Sequence, residues 1–192
     1  MPMKKLVLCG AMLLLIGGFE VACQAQSKEE TLQWIKQRLP NAKAVKYENQ
    51  MSETPNRILA YQDVVANGCS LTFVEKLTAK YESVDGSSPD LDVFETVVTV
   101  PLGRLSKVDS VTGSDYEWDN GNSVELKAYD KIITWKSTEQ QSSKSGGLLN
   151  TKSQSGTTSE HDIVTNDSDL AQRLAKALAH ANELCGAKKE AF

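Results

Sequence analysis

The spacing of apolar residues changes twice along the chain. Residues 27–40 (SKEETLQWIKQRLP) repeat with a helical period, residues 43–165 alternate as strands do, and residues 166–186 return to the helical period. The first segment opens with S-x-x-E, the capping-box pattern, and ends at a proline. This predicts a helix of about 12 residues with Trp34 beside its apolar face.

Alternation in the central region predicts seven to nine short strands joined by turns. In residues 69–81 (CSLTFVEKLTAKY), Cys69, Leu71 and Phe73 share one face, and the residues between them lie on the other. Further along, Asn120-Gly121 is typical of a tight hairpin turn. Both patterns favour an antiparallel sheet.

One stretch of this region lacks alternation. Residues 137–158 (STEQQSSKSGGLLNTKSQSGTT) are dominated by Ser, Thr, Gln and Gly. Such a composition buries too little apolar surface to offset the entropy of ordering. We therefore expect a flexible Ser/Gln/Gly-rich loop, in which Leu148 and Leu149 are the only apolar residues.

The last periodic segment, DSDLAQRLAKALAHANELCG, predicts an amphipathic helix. Its apolar stripe includes Leu178 and Cys185, whereas His180 falls outside the stripe. Asn166 or Ser168 is expected to cap its start, and the glycine after Cys185 suits the C-terminal reversal.

This order of elements predicts an α+β domain. We expect an antiparallel, barrel-like sheet of about seven to nine short strands, with an N-terminal helix and a packed C-terminal amphipathic helix. Over roughly residues 43–186 the element order resembles the pleckstrin-homology-like barrels, in which about seven strands are capped by a C-terminal helix. Phosphoinositide-binding members carry clustered basic residues near the first hairpin. Here Lys43, Lys46 and Arg57 are scattered among acids, so that ligand is not implied.

The first residues have the order of a secretory signal peptide. Lys4 and Lys5 precede an apolar run of about 14 residues, which is short of the roughly 20 needed to span a bilayer. Cleavage after Ala25 would remove residues 1–25 and leave a single domain over residues 26–192. In this respect the chain resembles exported bacterial proteins.

Two cleavage schemes lead to two locations. Ordinary cleavage predicts a secreted or periplasmic protein. A bacterial lipoprotein box ending at Cys23 would instead anchor the protein to the envelope through a lipid, although Glu20 stands where that box has an aliphatic residue. No transmembrane segment is expected after signal removal.

The charge balance bears on the partners. The whole chain has a formal net charge of −4, and removing Lys4, Lys5 and Glu20 makes it −5. An acidic chain without a basic cluster is poorly suited to phosphate backbones, so no nucleic acid is expected. The partner is expected to be a protein, a peptide or a small ligand.

Catalytic and metal-binding motifs are absent from the sequence. It has no G-x-S-x-G, S-x-x-K or C-x-x-C pattern, and His161 and His180 are its only histidines. The densest titratable cluster is Glu160-His161-Asp162. In a strand, His161 points with Ile163 and the two acids point the other way. We predict no catalytic residue, no metal site and no cofactor.

Aromatic residues offer one candidate ligand contact. Tyr116 and Trp118 alternate onto one face before the predicted hairpin turn, where they would stack on a sugar or a peptide. The alternative is ordinary cross-strand packing.

Two cysteines remain after signal removal, Cys69 and Cys185. Each lies on an apolar face, one on a strand and the other on the final helix. Free thiols tend to pair in an oxidising compartment, so we expect a disulfide between them. The alternative is two buried thiols.

The sequence thus predicts an exported, non-catalytic binding or envelope-associated domain. The alternative is a small hydrolase that uses loop carboxylates. Acids converging in a deep pocket would favour the hydrolase, whereas a shallow groove or an open sheet edge would favour binding.

Overall fold

The computed structural model describes residues 27–46, 56–80, 91–115, 118, 121–142 and 147–186. Two helices and nine strands lie in these ranges: α1 Lys28–Arg38, β1 Lys43–Lys46, β2 Asn56–Asn67, β3 Ser70–Lys80, β4 Leu91–Pro101, β5 Leu105–Asp115, β6 Gly121–Ala128, β7 Ile133–Ser142, β8 Leu148–Thr158, β9 Glu160–Thr165 and α2 Ser168–Leu184. Single 3-10 turns occupy Leu39–Asn41 and Leu102–Arg104. The predicted signal peptide, including Cys23, and Tyr116 lie outside the described residues.

The strands form two antiparallel sheets. The large sheet has the order β1-β2-β3-β4-β7-β8, and the small sheet has the order β5-β6-β9. The predicted α+β class, the number of strands and the two flanking helices are confirmed. The predicted barrel-like arrangement is wrong, because the two sheets are not closed into a barrel.

Three short links explain why no barrel forms. β4 leads into β5 through Leu102–Arg104, β6 leads into β7 through residues 129–132, and β8 leads into β9 through Ser159. Each link therefore joins a strand of the large sheet (β4, β7 or β8) to a strand of the small sheet (β5, β6 or β9). The small sheet is in this way an extension of the β4-β7-β8 half of the large sheet. It folds back over that sheet at a corner instead of curling to meet its far edge.

The core lies between the inner faces of the two sheets and the helices. Leu71 and Phe73 are completely buried on the inner face of β3, on the face that the alternation predicts. Leu174 and Leu178 of α2 are also completely buried, so this part of the predicted apolar stripe packs as expected, whereas Leu184 at its end is 40% exposed. Burial of each such side chain stabilises the fold by about 1.5–3 kcal/mol.

The start of α1 follows the sequence prediction. Ser27 Oγ accepts from the Glu30 backbone N–H at 3.2 Å, and Glu30 Oε2 accepts from the Ser27 N–H at 2.9 Å. Trp34 is partly buried against the core, and the Arg173 guanidinium lies 5.5 Å from the centre of its ring. The expected helix and its flanking tryptophan are confirmed.

The start of α2 differs from the prediction. Asp167, not Asn166 or Ser168, is the N-cap, and its Oδ1 accepts from the Leu170 N–H at 2.9 Å. The Asn166 side chain is engaged elsewhere, since its Oδ1 accepts from the Val45 N–H at 2.6 Å. The more exposed aspartate is therefore left to cap the helix.

The predicted loop at residues 137–158 is wrong. β7 and β8 cover most of this segment and pair as an antiparallel hairpin. Backbone pairing requires no apolar side chain, and hydroxyl residues suit exposed strand positions, as in the contact of 3.4 Å between Thr138 and Ser153. Leu148 is 65% exposed and docks nowhere in the core.

A bulge in β2 aims two side chains into the core. Asp63 has φ 51°, in the left-handed region, and the register with β3 shifts at this point. The extra residue lets Tyr61 and Val64 both face inward although their spacing is odd. Tyr61 therefore reaches β9, where its hydroxyl is hydrogen-bonded to the Val164 backbone.

Candidate functional site at the edge of the large sheet

The predicted cysteine pair is brought together. Cys69 lies in the β2–β3 turn and Cys185 at the C-cap of α2, with their sulfurs 2.16 Å and their Cα atoms 5.6 Å apart. The Leu102 N–H also donates to the Cys69 carbonyl at 2.8 Å. We call this region the disulfide corner: Cys69, the Leu102–Arg104 turn and the end of α2 at Cys185.

The predicted aromatic pair is only half described. Trp118 is partly exposed in the link between β5 and β6, and its carbonyl accepts from the Gly121 N–H at 3.1 Å. Tyr116 lies outside the described residues. Ligand stacking by the pair therefore stays a prediction.

A histidine and a glutamate meet between the two sheets. β9 points His161 inward with Ile163 and leaves Glu160 and Asp162 exposed, as the alternation predicts. His161 Nε2 lies 2.9 Å from Oε1 of Glu75 on β3, and each side chain is 16% exposed. The sequence carried no signal for Glu75, which is 86 residues away.

The pair shifts the protonation of the imidazole. Burial by itself lowers the pKa of His161, but the hydrogen bond and charge of Glu75, with a smaller contribution from Asp162, outweigh it and raise the pKa above its ordinary value. A catalytic dyad would also need a nucleophile within reach. No hydroxyl or thiol among the described residues is hydrogen-bonded to His161. The arrangement ties β9 to β3.

The sheet edges differ in how their backbone groups are satisfied. On β9, the Tyr61 hydroxyl accepts from the Val164 N–H at 2.7 Å and donates to the Val164 carbonyl at 3.2 Å. The Thr158 hydroxyl does the same for Glu160, at 3.2 Å and 3.0 Å. The outer edge of β9 is thus covered by side-chain hydroxyls.

The outer edge of β1 is covered as well, and that of β5 has a partner at its first residue. The Lys43 carbonyl accepts from the Asn166 N–H at 2.9 Å, so the end of β9 closes β1. α2 packs against β5, and Asn182 Nδ2 donates to the Leu105 carbonyl at 3.1 Å. Beyond Leu105 the outer edge of β5 has no backbone partner in the described residues, but two register shifts against β6 interrupt the strand and Lys107 and Asp109 charge it. The outer edges of β1 and β9 therefore have partners, whereas that of β5 is protected by bulges and charge.

The outer edge of β8 has neither kind of protection over most of its length. Its backbone is paired with β7 on one side, and no group elsewhere in the described part of the chain is hydrogen-bonded to it on the other. Among the elements described, β7 is the only one that β8 contacts extensively. We call this free side the β8 edge.

The β8 edge lacks most of the features that protect edge strands. Such strands are usually short, charged, bulged or interrupted by proline. β8 has 11 residues, no proline and one charge, Lys152, and its pairing with β7 is regular from Asn150 to Thr158. Sequence reasoning missed this site because it assigned the segment to a loop.

Other candidate sites in the described residues are weaker. An open concavity of about 280 Å³ lies between α1 and the β2–β3 turn, and Glu29 is its one carboxylate. In the same ranges no group of three His, Cys, Asp or Glu side chains is placed to hold a metal ion. No helix found there is long and apolar enough to cross a membrane.

Comparison with known proteins adds no relative. No protein-family model, curated protein or solved structure matches the chain. Function is therefore inferred from the geometry of the described residues, and the resemblance to pleckstrin-homology-like barrels stays a prediction.

Proposed function

We propose that this chain is an exported, non-catalytic domain that binds an extended protein segment along β8. The observation that carries the proposal is the β8 edge, a row of backbone donors and acceptors that has no partner among the described residues, whereas the edges of β1 and β9 are covered and that of β5 is bulged and charged. An extended segment that pairs there becomes the seventh strand of the large sheet. In this mode the main-chain hydrogen bonds supply affinity, and alternate side chains supply specificity.

The side chains around the β8 edge fit a polar partner. Thr151, Ser153, Ser155 and Thr157 are all exposed on the outer face, and Lys152 and Gln154 are exposed on the inner face. These groups can donate and accept hydrogen bonds without the desolvation cost of many charges. A segment rich in hydroxyl and amide side chains is the expected ligand.

The hydrolase alternative finds less support. It needs two acids that converge on a pocket. Several carboxylates in the described residues engage bases, as in Lys76–Glu95 at 2.8 Å and Arg104–Asp130 at 2.9 Å. Glu75 is engaged by His161.

Export is part of the proposal. The signal-like first residues and the pairing of Cys69 with Cys185 both fit an oxidising compartment. Either release after Ala25 or lipid attachment at Cys23 would deliver the domain there. Intact mass of the mature protein distinguishes a chain that begins at Gln26 from a lipidated Cys23, and retention of Met1 would contradict both.

A peptide-display experiment tests the binding mode. Random twelve-residue peptides are selected against the oxidised mature chain, residues 26–192. Their affinity is then measured for the wild type, for T151K/S155K on β8, and for T112K/Q172K, which adds the same charge at exposed positions on β5 and α2. We expect at least tenfold weaker binding by T151K/S155K alone. Equal binding by all three proteins would contradict strand addition at β8.

A further inference from the structure

We infer that the segment bound at the β8 edge is β8 of a second copy of this chain, so that two large sheets join into one of twelve strands. This inference rests on the proposed function and names the partner of the same site. Pairing of two identical edges about a two-fold axis is necessarily antiparallel. That is the pairing of every strand in both sheets.

Charge supports self-association and selects its register. A register centred on Ser153 pairs the regular part of β8, from Asn150 with Gly156 of the second copy inward. It places Lys152 opposite Gln154 of the second copy, so no like charges meet. A register centred on Lys152 would oppose two lysines, which is unfavourable. Within its own chain Lys152 already lies across from Glu139.

The outer-face hydroxyls of β8 complement one another in this register. Thr151 would face Ser155 of the second copy, and the two Ser153 side chains would face each other. The large sheet already uses such pairs, since the Thr72 and Thr99 hydroxyls are 3.0 Å apart and Thr138 lies 3.4 Å from Ser153. The same hydroxyl ladder would continue across the dimer axis.

Edge pairing alone implies a weak dimer. A stable protein interface buries about 1,200–2,000 Å² in total, and two paired edge strands with small side chains offer less. We therefore expect a concentration-dependent equilibrium between monomer and dimer. Tethering to an envelope surface would raise the effective concentration and favour the dimer.

Sedimentation equilibrium of the oxidised mature chain tests the dimer. In the Ser153-centred register, T151K/S155K brings four lysines together at the interface. We expect the wild type and T112K/Q172K to dimerise with the same dissociation constant and T151K/S155K to dimerise at least tenfold more weakly. Unfolding temperatures show whether each variant is folded.

A cysteine cross-link tests the register. Directly opposed residues on paired strands have Cβ atoms about 4.5–5.5 Å apart, close to the range that a disulfide bridges. Ser153→Cys is therefore expected to yield a covalent dimer on mild oxidation. Gln140→Cys, exposed on the same face but one strand further in, is the matched control and is expected to stay monomeric.

The outcomes separate the inference from the proposed function. A chain that stays monomeric to high concentration but binds selected peptides in an edge-dependent way overturns the dimer and leaves the function standing. A dimer that ignores the β8 lysines and does not cross-link at Ser153 also overturns the inference. Loss of both dimer and peptide binding overturns both proposals.

Discussion

The disulfide corner and the β7–β8 hairpin are held by different forces. At the corner, α2 buries Leu174 and Leu178 completely, and a covalent bond joins the helix to the β2–β3 turn. In the hairpin, every described β8 side chain is exposed or partly exposed. β8 is held mainly by backbone pairing and by the contact of Gly156 with the Trp135 ring.

This difference separates stability from recognition. At the disulfide corner the backbone is fixed by the disulfide and by the hydrogen bond from the Leu102 N–H to the Cys69 carbonyl. The β8 edge contributes little to the core, and the backbone groups on its outer side have no partner in the ranges that the structure describes. Regions that bind partners are commonly among the less stable parts of a fold.

The largest effect is expected at the disulfide corner. The bond closes a loop across 116 residues of sequence, so the chain-entropy estimate for its loss is about 4–5 kcal/mol. Urea unfolding of C69S/C185S against the oxidised wild type measures this. A loss below about 1 kcal/mol would show that α2 packing alone holds the corner.

A pair of leucines compares the two regions directly. Leu178→Ala leaves a cavity in the core and is expected to lower the free energy of unfolding by about 3 kcal/mol. Leu148→Ala removes an exposed side chain from β8 and is expected to change it by less than about 0.5 kcal/mol. Equal losses in chemical denaturation would mean that β8 also belongs to the core.

Two glycines, Gly103 at the disulfide corner and Gly156 on β8, compare how tightly the two regions are packed. A Cβ at Gly103 would overlap the Cys185 carbonyl oxygen, which is backbone and cannot move aside. A Cβ at Gly156 would lie 2.9 Å from Cζ2 of Trp135, whose ring is partly exposed and can shift. We expect Gly103→Ala to cost about 1–3 kcal/mol and Gly156→Ala to cost less. Thermal unfolding of both variants checks the order.

Much of the fold was predictable from local pattern. Alternation placed Leu71 and Phe73 on the buried face, and helical spacing gave α2 its stripe. β8 was not predicted as a strand, because backbone pairing with β7 stabilises it. The hydrophobicity of its side chains does not reveal that pairing. The pairing of Glu75 with His161 and the cover that Tyr61 gives to β9 depend on how the small sheet folds over the large one. No local pattern encodes that.

The smallest effect on the free energy of unfolding is expected for the Glu75–His161 pair, which joins β9 to β3 of the large sheet. Glu75 raises the folded-state pKa of His161, so the stabilisation is fully present below the unfolded value of about 6.5 and is lost as the pH rises through the folded pKa. Glu75→Gln should therefore destabilise the protein more at pH 5.5 than at pH 8.5, in urea unfolding at both values. His180→Asn, which removes the other histidine, is the control. A pH-independent loss for Glu75→Gln would contradict the ion pair.

Amide hydrogen exchange tests the central claim about the β8 edge most directly. Peptic fragments covering β8 and α2 are followed by mass spectrometry in dilute protein, in concentrated protein and with a display-selected peptide. We predict that β8 amides become protected in both of the latter conditions, while protection in α2 stays unchanged. Protection that rises elsewhere while β8 continues to exchange as in dilute protein would contradict the claim.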